Sequence, residues 1–418
     1  MANDPTSVVL AHPLGNQFMR HLARTLLDAG RLAELCTCID WRPGWLARHT
    51  LPGRLQAELQ RRSYPEIDRV RVASHPAKEY LRLLAGRAGW TALTRHETGM
   101  LSVDAIVRDF DDWVARRLGH QPGARIVYAY EDAAEASFAA AGRLGWQRAY
   151  DLPIAYWETG HRLLAEEAAR WPQWEFTLES TRNSAVKLER KTRELALADI
   201  VICPSQFVAD SLPEAVRAAK RIVIAPFGSP GPQPAAERRP AVGRLRVLFA
   251  GSMTQRKGLA DLFAAMRLLD RRDVELIVLG SPVSAPAFYR REYPDFTYEV
   301  PRPHADVLHL MRTCDVFCLP SIVEGRALVI QEALSCGLPA IVTANTGADD
   351  AIAEGRNGFV VPVRSPAAIA DRIAWLADHR AALPDMAAAA RAAAAEITWE
   401  NYGKIIAEAL GDPQPPRG

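Results

Sequence analysis

Two carboxylates and two adjacent cations in the second half of the chain are spaced to hold a charged, hydroxyl-rich ligand. Glu324 lies in the loop after the apolar run Val316–Leu319, and Glu332 lies about one turn into the helix expected to start near Ala327. Arg256 and Lys257 follow a second apolar run, Leu245–Ala250, through Gly251 and Ser252. Ligands of open α/β sheets collect beyond the carboxyl ends of the strands, which is where both loops would open. Paired cations at such a position can neutralise a diphosphate, arginine through forked hydrogen bonds and lysine as a point charge. The amides of Ala327, Leu328 and Val329 at the helix start would face the same anion, assisted by the helix dipole. A carboxylate at Glu332 can accept two hydrogen bonds from a vicinal diol such as a ribose. Singly, these residues read as a loop carboxylate, an exposed helix residue and a solvated turn. Their common position at the mouth of one sheet is what makes them a site.

The elements that must position them follow from the pattern of apolar runs. The chain opens with a strand at 8–11, a short loop through Gly15 and Asn16, a helix over 17–29 ended by Gly30, and a strand at 35–39. Strand, loop, helix and strand in that order begin a parallel α/β sheet. Further strands are expected at 125–129, 154–157, 200–203 and 222–225, with helices between them. Residues 228–240 then carry four prolines and no apolar period, which reads as a linker. A second series starts at 245–250 and continues at 274–279, 316–319, 340–343 and 359–361. At 418 residues the chain exceeds one compact core, so two domains are expected. The boundaries are 1–228 for the first, 229–243 for the linker, 244–393 for the second, and 394–410 for a terminal helix crossing back to the first domain. Residues 411–418 read as a disordered tail.

Composition excludes several classes. Fifty-one basic against 49 acidic residues leave a net charge of +2, so no general field attracts nucleic acid. The first residues, Met1–Pro5, lack the basic and apolar regions of a secretory leader, and no apolar segment approaches the ~20 residues of a spanning helix. The six cysteines match no paired zinc spacing and are expected as buried, reduced thiols of a cytoplasmic protein. The run Asp109-Phe-Asp111-Asp112 imitates an Asp-x-Asp metal site. However, Val103, Ile106, Val107, Phe110 and Val114 recur at helical spacing, which puts the aspartates mostly on the solvent side of an amphipathic helix. Neither opening strand leads into G-x-G-x-x-G, which argues against a dehydrogenase. The basic, aromatic stretch 41–62, including Trp41, Arg42, Trp45, Arg48, His49, Arg61 and Arg62, reads as a surface helix. Weak contact with an anionic membrane or a lipid-linked acceptor is the alternative for it.

The strand-end Lys257-Gly258 together with Glu324 and Glu332 resembles the retaining glycosyltransferases of family 4, or group 1, which have the GT-B fold. That fold is α/β, with two Rossmann-like, doubly wound parallel-sheet domains facing across a cleft. The resemblance runs over 246–376 and includes Asp315, Ser321, Gly337-Leu-Pro339, Thr346-Gly347 and Glu354-Gly-Arg-Asn357-Gly358. It implies that Arg256 and Lys257 grip the diphosphate of a nucleotide-sugar donor, that Glu332 holds the ribose, and that Glu324 contacts the sugar. It further implies that Arg302 lies near the nucleobase and that the loop at Gly15 and Asn16 reaches toward the phosphates. Asn16 is equally a sound helix N-cap. The family often has a second glycine at that loop, an arginine at Ser252, and Glu-Gly-Phe-Gly where this chain has Glu324-Gly325-Arg326-Ala327. Arg326 therefore either touches the donor sugar or is exposed, and the sugar stays undefined. A sugar-contacting histidine follows a middle strand in many members; His161 or Glu158 is the counterpart expected here, and Tyr130-Glu131-Asp132 is a further acceptor-side candidate. The resemblance implies a retaining, metal-independent hexosyltransferase using a UDP- or GDP-sugar and no cofactor. Its acceptor would be a saccharide, a lipid-linked saccharide or a small molecule, and the protein cytoplasmic with peripheral contact at the inner membrane face as the extension. A nucleotide-sugar epimerase of the same fold and an inactive nucleotide-sugar-binding relative are the rivals.

Overall fold

The computed structural model describes residues 7–44, 53–178, 182–234 and 243–411. Two parallel sheets form. The first has the strands β1 (Ser7–Ala11), β2 (Leu32–Thr37), β3 (Val72–Ser74), β4 (Ala124–Tyr130), β5 (Gln147–Asp151), β6 (Ile200–Cys203) and β7 (Arg221–Ile224), in the order β3-β2-β1-β4-β5-β6-β7. The second has β8 (Leu245–Ala250), β9 (Val274–Leu279), β10 (Phe296–Glu299), β11 (Val316–Leu319), β12 (Ala340–Val342) and β13 (Gly358–Val360), in the order β10-β9-β8-β11-β12-β13. In each sheet the order reverses beside the first strand, and that switch point is where a crevice opens. Four helices used below belong to the first half: α1 (Gln17–Asp28), α2 (Val103–Leu118), α3 (Trp157–Arg170) and α4 (Gln206–Ser211). In the second half are α5 (Leu259–Leu269), α6 (Leu328–Ser335) and α7 (Trp399–Gly411).

Val8, Val9, Leu10 and Ala11 are all buried, because the first sheet is covered on both faces and a parallel strand needs no polar side. One face packs Val9, Ala11, Val127, Ala129 and Val201 against Phe110 and Val114 of α2. The other packs Val8, Leu10, Ile126, Tyr128 and Ile202 against α1 and against Trp399, Tyr402 and Ile406 of α7. The last helix of the chain thus completes the first domain's core. His21 stacks on Trp399 at 4.4 Å, and a side chain at Gly403 would strike Thr25.

A strut joins the halves. The start of α3 is tied to the first domain where Ser211 Oγ accepts from the Tyr156 amide at 2.7 Å. Its end is tied to the second: Glu167, fully buried, accepts from Gln255 Nε2 at 2.7 Å and from Arg364, and Arg170 pairs with Asp261 at 2.6 Å. Just beyond, Trp174 is buried in the second domain's core, 4.9 Å from Phe288.

Three expectations need correction. The strand expected at 154–157 is not one: β5 lies earlier, at Gln147–Asp151, and α3 starts at Trp157. Ile154 and Ala155 instead pack against Ile322 and Val323 of the other domain. The strands β3 and β10 were not anticipated. On α2 the aspartates are not mostly solvated: only Asp112 is exposed, while Asp109 pairs with His75 and Lys78. Asp111 is buried and accepts from the amides of Ala136 at 2.6 Å and Ser137 at 3.0 Å, capping the next helix. Among the described residues, no group of three or more His, Cys, Asp or Glu could hold a metal ion, and no helix is long and apolar enough to cross a membrane. The six cysteines are free, five of them buried. Residues 45–52 of the basic stretch and 412–418 of the tail lie outside the described residues.

Candidate functional site at the mouth of the second sheet

The loop after β8 and the loop after β11 meet at Glu324. Gly251 takes φ +151°, and a Cβ there would come within 2.7 Å of the Lys257 side chain, so glycine is what lets Lys257 fold back over the strand end. Lys257 Nζ then donates to Glu324 Oε1 at 2.6 Å, and Arg256 Nη1 lies 3.0 Å from Glu324 Oε2. Arg256 also fixes the second loop through its backbone, its carbonyl accepting from the Ile322 amide at 2.8 Å, and its guanidinium donates to the Val323 carbonyl at 2.9 Å. Burial would raise the Glu324 carboxyl, but Lys257 and then Arg256 outweigh it and hold the group below its ordinary range. The site therefore holds a carboxylate favoured in its ionised form between two cations, with one positive charge in excess.

Lys257 and Glu324, but not Arg256, line a cavity of about 440 Å³ together with Gly251, Ser252, Gly280, Ser281, Pro301, Arg302, Val307, Arg326, Ala327, Leu328 and Val329. Its floor is the start of α6, which has no capping side chain. One of the three amides expected to face an anion is already used: the Ala327 N–H donates to the Thr346 carbonyl at 3.0 Å, leaving Leu328 and Val329 as the first helical amides. Glu332, one turn further along α6, is not among the cavity residues; its Oε1 is 2.9 Å from His304 Nε2. Arg302, on the cavity wall, pairs with Glu299. Gly280 and Ser281, beyond β9, are cavity residues that sequence reasoning missed; the signal was there, an apolar strand ending in Gly-Ser as β8 does.

Arg326 is on the wall yet not exposed, so that alternative falls. Its side chain has no exposed surface, and Nη1 donates to the Gly347 carbonyl at 2.7 Å and to Asp350 at 2.8 Å. Its Nε and Nη2 are buried with no hydrogen-bond partner among the described residues. The guanidinium braces the loop after β11 against the loop after β12.

The first domain contributes less than expected. Gly15 and Asn16 are not among the cavity residues; Asn16 Oδ1 accepts from the Met19 amide at 2.9 Å and caps α1. His161 is half-buried on α3 and likewise does not line the cavity. Glu131 is buried and its Oε1 lies 3.0 Å from Lys191 Nζ, a charge pair inside the first domain. A larger cavity of about 600 Å³ opens in the first domain around Trp41, Arg42, Gln56, Gln60 and Ser63. Arg42 there is engaged by Asp40 at 2.6 Å and by the carbonyls of Tyr64 and Ile67, so size alone does not make it the site of chemistry.

A strand-end triad of one carboxylate and two cations and an uncapped helix start thus stand at the mouth of the second of two parallel sheets. Residues 244–379 match the family model described as glycosyl transferases group 1, and by that match the second domain belongs to this family. Similar curated proteins are D-inositol 3-phosphate glycosyltransferases. That of Pseudarthrobacter chlorophenolicus is 31% identical over 246 residues, which are 53% of this chain and 59% of the relative. That of Paenarthrobacter aurescens is 30% identical over 173 residues, 39% of this chain and 42% of the relative. The match thus spans about half the length of these relatives. Among solved structures, sucrose-phosphate synthase from Thermosynechococcus elongatus superposes with a TM-score of 0.65 at 17% identity, covering 97% of this chain and 98% of that one. Anabaena HepE in complex with UDP superposes with a TM-score of 0.62 at 17% identity, covering 97% and 99%. At these identities the likeness establishes the fold, which is GT-B.

Proposed function

We propose that this protein is a metal-independent, retaining glycosyltransferase that moves a hexosyl-type sugar from a UDP- or GDP-sugar to a saccharide, lipid-linked or small-molecule acceptor. The observation that carries the reading is Glu324 held between Lys257 and Arg256 on the wall of the cavity at the start of α6. In this reading the donor diphosphate takes over the cations, lying against Lys257, Arg256 and the amides of Leu328 and Val329. Glu332 binds the ribose and Glu324 is left to orient the sugar. Fixed positive charge where the leaving group becomes negative stabilises the transition state without reorganisation, and no metal is required for that task. The bond from the anomeric carbon to the diphosphate oxygen breaks as the acceptor hydroxyl attacks from the same face. The acceptor's proton passes to the departing phosphate oxygen, and configuration is retained. UDP is the first base to try, because the structural neighbour HepE is held with UDP. The acceptor is not carried over from the inositol phosphate enzymes, whose similarity spans only part of their length.

The test is release of nucleoside diphosphate from a panel of UDP- and GDP-sugars in EDTA, with and without acceptors. Acceptor-stimulated release, lost in Lys257→Ala and Glu324→Ala, is the expected result. Turnover that needs an added divalent ion, or conversion of the donor sugar without any acceptor, would sink the reading and favour other chemistry on the same fold.

A further inference from the structure

The loop that carries Glu324 is held from both sides of the domain boundary. From the first domain, the Ser205 hydroxyl donates to the Gly325 carbonyl at 2.7 Å, and the Ala155 amide approaches the Glu324 carbonyl at 3.4 Å. The Pro153 carbonyl sits so close that a Cβ on Gly325 would lie 1.7 Å from its oxygen. From the second domain, Ala327 donates to Thr346, and Arg326 donates to Gly347, whose own missing Cβ would lie 2.6 Å from Ser205 Oγ and 2.0 Å from the Gly325 carbonyl. Ser205 is buried at the end of β6, where it caps α4 by accepting from the Val208 amide at 3.3 Å. One hydroxyl thus uses its lone pair on its own helix and its proton on the other domain. Two close glycine contacts and a donated hydrogen bond converge on Gly325, the residue that follows Glu324.

We propose that Ser205 is a positioning residue through which the first domain sets the donor loop, so that Glu324 reaches its working position only when the two domains are together. This rests on the reading of the site as a glycosyltransferase donor site. It gives the Glu-Gly pair a physical reason: any side chain at 325 would wedge the domains apart at Pro153. It also gives buried Arg326 a task, that of backing the loop from the second domain while Ser205 pulls from the first. A donor can meet Lys257 and the start of α6 within the second domain alone, so binding and loop setting are separable steps. The arrangement lets donor binding precede docking of the first domain, which would hold back wasteful hydrolysis until the acceptor side has closed.

The experiment compares the full chain with Ser205→Gly, Ser205→Thr and Gly325→Ala. Glycine at an N-cap costs little, so Ser205→Gly removes the cross-domain donor while sparing α4, and threonine restores both functions. Three readouts are taken: binding of UDP and GDP by calorimetry, kcat against KM for diphosphate release, and the radius of gyration by small-angle scattering. Ser205→Gly and Gly325→Ala are expected to bind nucleotide within about twofold of wild type while kcat falls roughly tenfold and the molecule expands, with Ser205→Thr unchanged. Wild-type kcat and dimensions in both variants would overturn the proposal. So would nucleotide affinity falling in step with kcat, which would make the loop a binding element only. If the wild type turns over no donor, the glycosyltransferase reading fails first and scattering decides alone; unchanged dimensions in both variants then refute the coupling.

Discussion

In the first domain the loop leaving β1 holds Gly15 at φ +61° and closes inward; in the second the loop leaving β8 holds Gly251 at φ +151° and opens outward. The two loops begin alike, each an apolar strand running into a glycine, yet they end as different devices. A Cβ on Gly15 would lie 1.6 Å from the Tyr64 hydroxyl, and the Gly15 amide donates to His12 Nδ1 at 2.9 Å. A Cβ on Gly251 would meet Lys257, which lies on the cavity wall. The first loop is built from buried aromatic and amide contacts, whereas the second presents charge. What separates them is the partner of the glycine: a tyrosine that seals, or a lysine that brings charge to a cavity. Two buried carboxyls of the first domain contrast with Glu324 in the same way. Burial lifts Asp151 to about 7 and Glu194 to about 8 in the first domain, while Glu324 is held low by its cations.

If the second loop carries the chemistry, Lys257→Ala should have the largest effect. Loss of one preorganised donor at a developing charge costs about 10² to 10³ in kcat. The fold should survive, because Lys257 contacts a partly open cavity, although Glu324 is then left with Arg256 alone. Diphosphate release and a thermal melt on the same sample check this; near-normal kcat would remove the division between the loops. In the other loop, Gly15→Ala should act on stability. A side chain at positive φ and in collision with Tyr64 costs roughly 1 to 3 kcal/mol. Denaturant unfolding should show the loss, and Tyr64→Phe in the same chain should recover part of it. A Gly15→Ala protein of full stability but reduced turnover would show instead that the first loop reaches the donor.

Glu332→Gln sharpens the comparison within the candidate site. The change keeps the shape and removes the charge that faces His304. A charge-assisted hydrogen bond is worth about 1.5 to 3 kcal/mol, so donor KM should rise about tenfold with kcat little changed. A kcat defect at unchanged KM would mean that Glu332 is not a ribose ligand.

The strands around the candidate site were legible because they are short apolar runs that stop at a glycine or proline and hand over to charged residues. Most strands of both sheets follow from that pattern, and so do the positions of Glu324, Lys257 and α6. What escaped was decided by tertiary pairing. Strand β5 reads Gln-Arg-Ala-Tyr-Asp and becomes a central strand only because Arg148 is matched by Asp199 at 2.7 Å and Asp151 is buried behind it. The apolar run just after it, which imitates a strand, is apolar because it meets the other domain. Asp111 looked solvated by helical period, but the helix after β4 supplies two amides to it. Arg326 could not be placed by sequence at all, since its partners, Gly347 and Asp350, come from a loop more than twenty residues away.

The smallest effect tests the sealed loop through pH. His12 is buried, and desolvation lowers its imidazole to about 3, so it stays neutral in the folded protein across the useful range. In the unfolded chain it titrates near the ordinary ~6.5. Between those values the unfolded state binds the extra proton, so His12 costs stability as pH falls from about 6.5 toward 3. From pH 7 to pH 5.5 that amounts to about 1 kcal/mol. Asp151 and Glu194 act with the opposite sign, since their raised values favour folding at low pH and lose that advantage as pH rises toward about 7 and 8. The slope of the wild type alone therefore cannot isolate the histidine. His12→Asn keeps an acceptor for the Gly15 amide and removes the titration. The difference between the two proteins' unfolding free energies should grow by about 1 kcal/mol between pH 7 and 5.5 in favour of the variant. A constant difference over that interval would mean that His12 is not sealed in solution and that the first loop opens as the second does.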